Sequence, residues 1–200
     1  MAIKLGGVEN EIKKKGLIKG IFLGLIVVMM HIASFYYMTT TVHSHPLLVL
    51  PGSFIFTIII PLIFIILFIF NIRKSIGGYW SFRQAATAIF IMLFTTYIFL
   101  TIGRDILFVK LVEPHMVQKI GAVMIESRTR KDQLDGMTAA EVTKDLVVTK
   151  ANFNFPATIN PWAVIESNLA ENIILIFVLA IIFTAIFKKD PPILNHDSIG

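Results

Sequence analysis

Histidine and carboxylate side chains beside or within long apolar runs are the residues of this chain whose types suit chemistry. His43 and His45 form an H-x-H pair, His115 lies further on, and His31 stands inside an apolar stretch. Converging imidazoles bind zinc or copper, but this spacing matches no ligand set and Pro46 follows at once, so no metal residue is assigned. His31 carries more weight, because a polar group within a membrane is costly and by default marks a functional position. A hydrogen bond to a neighbouring helix, through Thr95 or Thr96, is the competing account of it. Glu166 and Glu171, with Asn168 and Asn172, crowd the start of the last apolar run. Carboxylates at membrane depth carry protons or cations, whereas acids at an interfacial helix start complement the N-terminal dipole; the second account is the simpler. No nucleophile elbow, metal-ligand helix, phosphate loop or clustered acid pair accompanies these groups. The chain has no cysteine, which excludes thiolate nucleophiles, Cys-ligated zinc and disulfides. No catalytic or cofactor-binding residue is therefore assigned, no cofactor is expected, and an enzyme ranks behind the other function classes.

The elements that carry these residues follow from composition. Of the 200 residues, 56% are hydrophobic and 16% charged, against about 45 to 50% and about 25% in an ordinary globular domain. That balance, with a mean hydropathy of +0.77, predicts an integral membrane protein. A membrane-crossing helix needs about 20 apolar residues, and four stretches supply them: about 17–38, 47–70, 85–103 and 169–187. None alternates apolar and polar residues as barrel strands do. The fold class is all-α, a polytopic membrane protein forming one domain over 1–200, with an amphipathic helical insert at about 104–164 between the third and fourth spans.

Orientation follows from lysine and arginine. The N-terminal segment, the second connection and the tail together hold ten basic residues against four acids, whereas the third connection with the start of the fourth span holds eight against nine. The first connection, 39–46, has none. The positive-inside rule then places both termini and the second connection in the cytoplasm and the insert outside. The net charge of +5 is spread over these short segments, which disfavours nucleic acid as a partner. The first apolar stretch ends in Phe35-Tyr36-Tyr37 without a small-residue cleavage site, as a retained anchor does.

Other motifs concern packing. Gly16, Gly20 and Gly24 clear one helix face, so that another backbone approaches closely; homodimerisation and packing within the bundle are the two readings. Pro61, in the middle of the second span, predicts a kink, because it cannot donate to the carbonyl of Thr57 and crowds it. Ser81-Phe82-Arg83-Gln84 and Thr138-Ala139-Ala140-Glu141 are capping boxes. Pro114 opens a helix with apolar positions at Met116, Val117, Ile120, Val123 and Met124, and after a break at Asp135-Gly136 a second short helix runs from about Ala139 to Ala151. The pair lies on the outer leaflet or packs over the bundle, or else forms a two-helix cap facing water.

Gly77-Gly78-Tyr79-Trp80-Ser81-Phe82-Arg83-Gln84-Ala85 leading a span, Val112-Glu113-Pro114-His115 opening the insert and a last span ending in Lys188-Lys189 resemble a bacterial membrane family, domain of unknown function 4199, over about Leu17 to Lys189. The resemblance implies this architecture and a bacterial inner-membrane setting. It implies no established activity, so no catalytic residue is carried over. The function expected is an accessory or scaffold subunit of an envelope complex, its partners the bilayer and a membrane protein, a membrane glycosyltransferase among the candidates, or a second copy. The alternative is a small transporter or lipid-handling protein that uses His31 and the kinked span. The topology has a direct test: a cysteine at Ser44 labels with an impermeant maleimide from outside the cell, and one at Ser75 does not.

Overall fold

The computed structural model describes residues 2–152 and 161–189, and the chain there is helical, with no strand among the described residues. The first helix runs Ala2–Thr41. The second, Pro46–Ser75, contains a single wide π turn at Ile55–Ile59, and the third, Phe82–Val112, is α-helical to Leu100 and π-helical over Thr101–Val112. Two insert helices follow, Met116–Leu134 and Ala139–Asn152, and the last helix is Pro161–Phe187. Four segments are long and apolar enough to cross a membrane: Glu9–Thr41, Pro46–Ser75, Phe82–Val112 and Leu169–Phe187.

The bundle is organised around the first and third spans. A Cβ built on Gly16 would lie 2.8 Å from the carbonyl oxygen of Ala88, one on Gly20 2.7 Å from that of Met92, and one on Gly24 2.5 Å from Cβ of Phe99. Gly103 returns the arrangement, its built Cβ falling 2.8 Å from a methyl of Val28. Partners on both helices advance together, so the two spans run parallel with a nearly constant register. Thr96 Oγ1 donates across the seam to the carbonyl of Gly20 at 3.3 Å and within its own helix to Met92 at 2.8 Å. The second span packs on the first and the fourth on the third. Leu23, Ile72, Ala88, Met92 and Ala180 are buried where these faces meet.

At the end opposite the insert, the fourth span is closed by residues far away in sequence. Gly77 and Gly78 take φ of 101° and 85°, a region that favours glycine, and the turn brings Trp80 under the bundle. Trp80 Nε1 donates to the carbonyl of Phe187 at 3.1 Å and Arg73 Nη1 to the same oxygen at 3.3 Å, while the Trp80 amide donates to the Lys189 carbonyl at 2.9 Å. The third span then starts on a complete capping box: the Gln84 amide donates to Ser81 Oγ, and the Ser81 amide to Gln84 Oε1 at 2.9 Å.

Several boundaries differ from the sequence expectation. The third span does not end at Gly103 but continues as helix through Val112. Arg104 and Asp105, which read as the start of a polar connection, neutralise each other at 2.5 Å and remain within the helix. The first insert helix begins at Met116, after Pro114. The fourth candidate span is Leu169–Phe187 as expected, on a helix that extends back to Pro161. Just before Pro61 the second span widens into the π turn Ile55–Ile59, where the Ile60 amide reaches back to the Ile55 carbonyl, a feature the sequence does not announce.

The seam predicts opposite outcomes for two glycine replacements. Gly20→Leu forces a side chain into Met92 and Thr95 and lowers the midpoint of thermal unfolding in detergent by an amount equivalent to about 3 kcal/mol or more. Gly121→Ala, in the first insert helix with nothing within 4 Å of its built Cβ, raises stability by about 0.5–1 kcal/mol.

Candidate functional site

The register of the first and third spans places His31 level with Arg104 and Asp105, inside the π-helical segment. The Arg104–Asp105 side chains are each 31% exposed, so the pair lies at the margin of the bundle and not in its core. His31 Nδ1 lies 2.9 Å from the Val27 carbonyl of its own helix. Thr95 and Thr96 lie at the level of Gly20 to Gly24, about seven to eleven residues or roughly 10 to 16 Å along the axis from His31, and Thr96 donates to Gly20 and Met92 instead. One turn further, Ser34 Oγ meets Ser53 Oγ of the second span at 2.8 Å, and Thr57 Oγ1 donates to the Ser53 carbonyl at 2.9 Å. A polar layer thus crosses three spans. Its charged members escaped the sequence reading because adjacent opposite charges look like loop, although an ion pair makes them compatible with a continuing helix.

Glu171 is exposed on the fourth span, ten residues beyond the helix start at Pro161. Dipole stabilisation fades within the first turn, so the interfacial-start account does not reach Glu171. The side chain of Glu166 lies outside the described residues. Lys19, on the first span, points over the ring of Phe68 with Nζ 5.2 Å from the centroid.

The insert is seated on the ends of the first two spans. Met38, Val42 and Val49 form a small second core with Val123 of the Met116–Leu134 helix. Ser127 Oγ donates to the Pro46 carbonyl at 2.7 Å, and His43 Nδ1 lies 3.3 Å from Glu126 Oε1. His43 is therefore turned toward a carboxylate of the insert. Beside this seat an open, mainly apolar groove of about 590 Å³ runs between Leu47, Leu50 and Pro51 of the second span and Met124, Arg128 and Lys131 of the insert.

The two insert helices are tied by charge. Arg128 Nε donates to Asp145 Oδ2 at 2.9 Å and lies 3.4 Å from Asp132 Oδ1. Asp132 is 1% exposed, and its other oxygen has no hydrogen-bond partner among the described residues. The turn uses Gly136 at φ 78°, and the next helix is capped by Thr138, whose amide donates to Glu141 Oε2 at 2.8 Å. The hydrogen bond from Arg128 holds the Asp145 carboxyl below its ordinary pKa and raises that of Arg128. The Thr138 hydroxyl and amide do the same to Glu141.

Residues 16–189 match the family model described as "Protein of unknown function (DUF4199)". No curated protein matches the chain, and no solved structure does.

Because Asp145 and Glu141 are lowered in the folded state, their stabilisation is present above the ordinary carboxylate range and is lost as pH falls through their lowered values. Amide-exchange protection of residues 128–147 is expected to drop below about pH 4. Asp145→Asn should flatten that dependence.

Proposed function

The chain belongs to the DUF4199 family, and from that premise we propose that it is an accessory or scaffold subunit of a bacterial envelope complex, holding or regulating another membrane component through its outer insert. In this reading the four spans cross the inner membrane with both termini and the Arg73 to Arg83 connection in the cytoplasm, as the basic residues favour. The observation that carries it is the seating of the insert. The Met116–Leu134 helix is fixed to the first two spans by a core and by the Ser127–Pro46 bond, and the Ala139–Asn152 helix is tied to it by the Arg128–Asp145 pair, yet Leu134 and Val147 are left 62% and 64% exposed. A plain connection between neighbouring helices needs about 2 to 8 residues, so the excess chain serves as a rigid presenting surface. A membrane glycosyltransferase is the partner class to test first.

A second reading, lipid handling, draws on the mainly apolar groove between Leu47, Leu50 and Pro51 and Met124 of the insert, which suits an acyl chain. The double variant Leu134→Glu, Val147→Glu separates the two. Under the accessory reading it leaves membrane insertion and thermal stability unchanged and lowers partner copurification in mild detergent at least tenfold. Unchanged copurification, with lipid lost instead on Leu50→Glu, would favour lipid handling.

A further inference from the structure

Lys19 and Glu171 lie at neighbouring depths in the bundle. Gly16 faces Ala88 and Gly20 faces Met92, so Lys19 is level with residues 91 to 94 of the third span. Phe90 meets Phe177, and Trp80 reaches Phe187; that antiparallel register sets Glu171 level with Thr96. The two charges are therefore separated along the membrane normal by about 3 to 8 Å, at about 1.5 Å per residue. Both lie within candidate membrane spans, and neither has an ion-pair partner among the described residues. Lys19 has the Phe68 ring face, which attracts an ammonium but does not neutralise it. They form no ion pair within one chain: the fourth span packs on the third, while the Lys19 ammonium lies over Phe68 of the second. Ion-forming groups at membrane depth pair or face water.

We propose that a second copy of this chain supplies the missing partner, the Glu171 face of one copy's fourth span docking on the Lys19 side of its neighbour's first span. Charge complementarity at neighbouring depths selects this occupant. The surrounding surfaces suit it: Ile174, Leu175 and Val178 are exposed beside Glu171, and Ile18 and Phe22 beside Lys19. The glycines of the first span are not available for the contact, since the third span fills them. The inference goes beyond the accessory reading and does not depend on the insert.

The absence of natural cysteine makes the test clean. Two differently tagged full-length chains are coexpressed, one with Ile174→Cys and the other with Phe22→Cys, and oxidised in native membranes. A mixed disulfide dimer is expected, at least tenfold more abundant than with Ile63→Cys in place of Phe22→Cys. Adding Glu171→Lys to the first chain, or Lys19→Glu to the second, should reduce it at least tenfold, and combining both reversals should restore it. No mixed dimer, or a yield indifferent to charge, overturns the proposal; so does failure of the double reversal to restore a yield that each single reversal abolished. A photoreactive group at Ile174 that captures only lipid or a different membrane protein also overturns it. Copurification with an envelope partner is scored separately, so loss of the dimer leaves the accessory reading standing.

Discussion

Dispersion forces between two backbones fall away within an ångström of added separation, and within lipid no hydrophobic drive replaces them. The contact of the first and third spans is built on that short range: Gly16, Gly20 and Gly24 on one side and Gly103 on the other remove the side chains that would hold the helices apart. Much of the architecture depends on this seam. A parallel pairing of alternate spans places the C-terminal ends of both at the same end of the bundle. The insert, which follows the third span directly, therefore emerges beside Met38 and Val42 of the first, where its Val123 and Ser127 find their seat. The same register sets His31 beside Arg104 and Asp105 and keeps the second and fourth spans as flanking elements.

The parts of this arrangement that were legible in the sequence are those governed by local chemistry. Capping boxes at Ser81 and Thr138 need only three residues, and the structure forms both. Apolar length identified the four candidate spans, and the periodicity from Met116 to Met124 marked the first insert helix. The end of the third helix and the start of the fourth were not legible. Arg104 looked like a terminator because its cost in an apolar setting is large when it stands alone, and its neutralisation by Asp105 is a matter of geometry. The start of the last helix was hidden for a different reason: Glu166, Asn168, Glu171 and Asn172 separate its apolar first turn, Pro161 to Val164, from the long apolar run.

The candidate site shows a similar division. His31 and Glu171 could be singled out by type and position, but what faces them depends on the register of separate helices. Thr96, an obvious hydrogen-bond partner for His31 by residue type, lies far from it in depth and bonds to Gly20. Asp132 gave no signal at all, because its burial arises from the folding of one insert helix against the other, and nothing in an acidic, charged stretch distinguishes it from its exposed neighbours.

The closure of the fourth span by Trp80 and Arg73 has a consequence for biogenesis. The last carbonyls of a helix have no donors of their own, and that of Phe187 takes both of its donors from a turn made more than a hundred residues earlier. On the ribosome, the tryptophan of that turn is synthesised long before its acceptor exists. During that interval its ring, buried at 1% exposure in the finished protein, lacks its final cover, and the first three spans form a half-built assembly open on one side. Arrival of the final helix completes the hydrogen bonds and covers the ring in one event, so the turn acts as a completion latch. A chain released before Phe187 keeps its latch open, with the donors of Trp80 and Arg73 left without that acceptor.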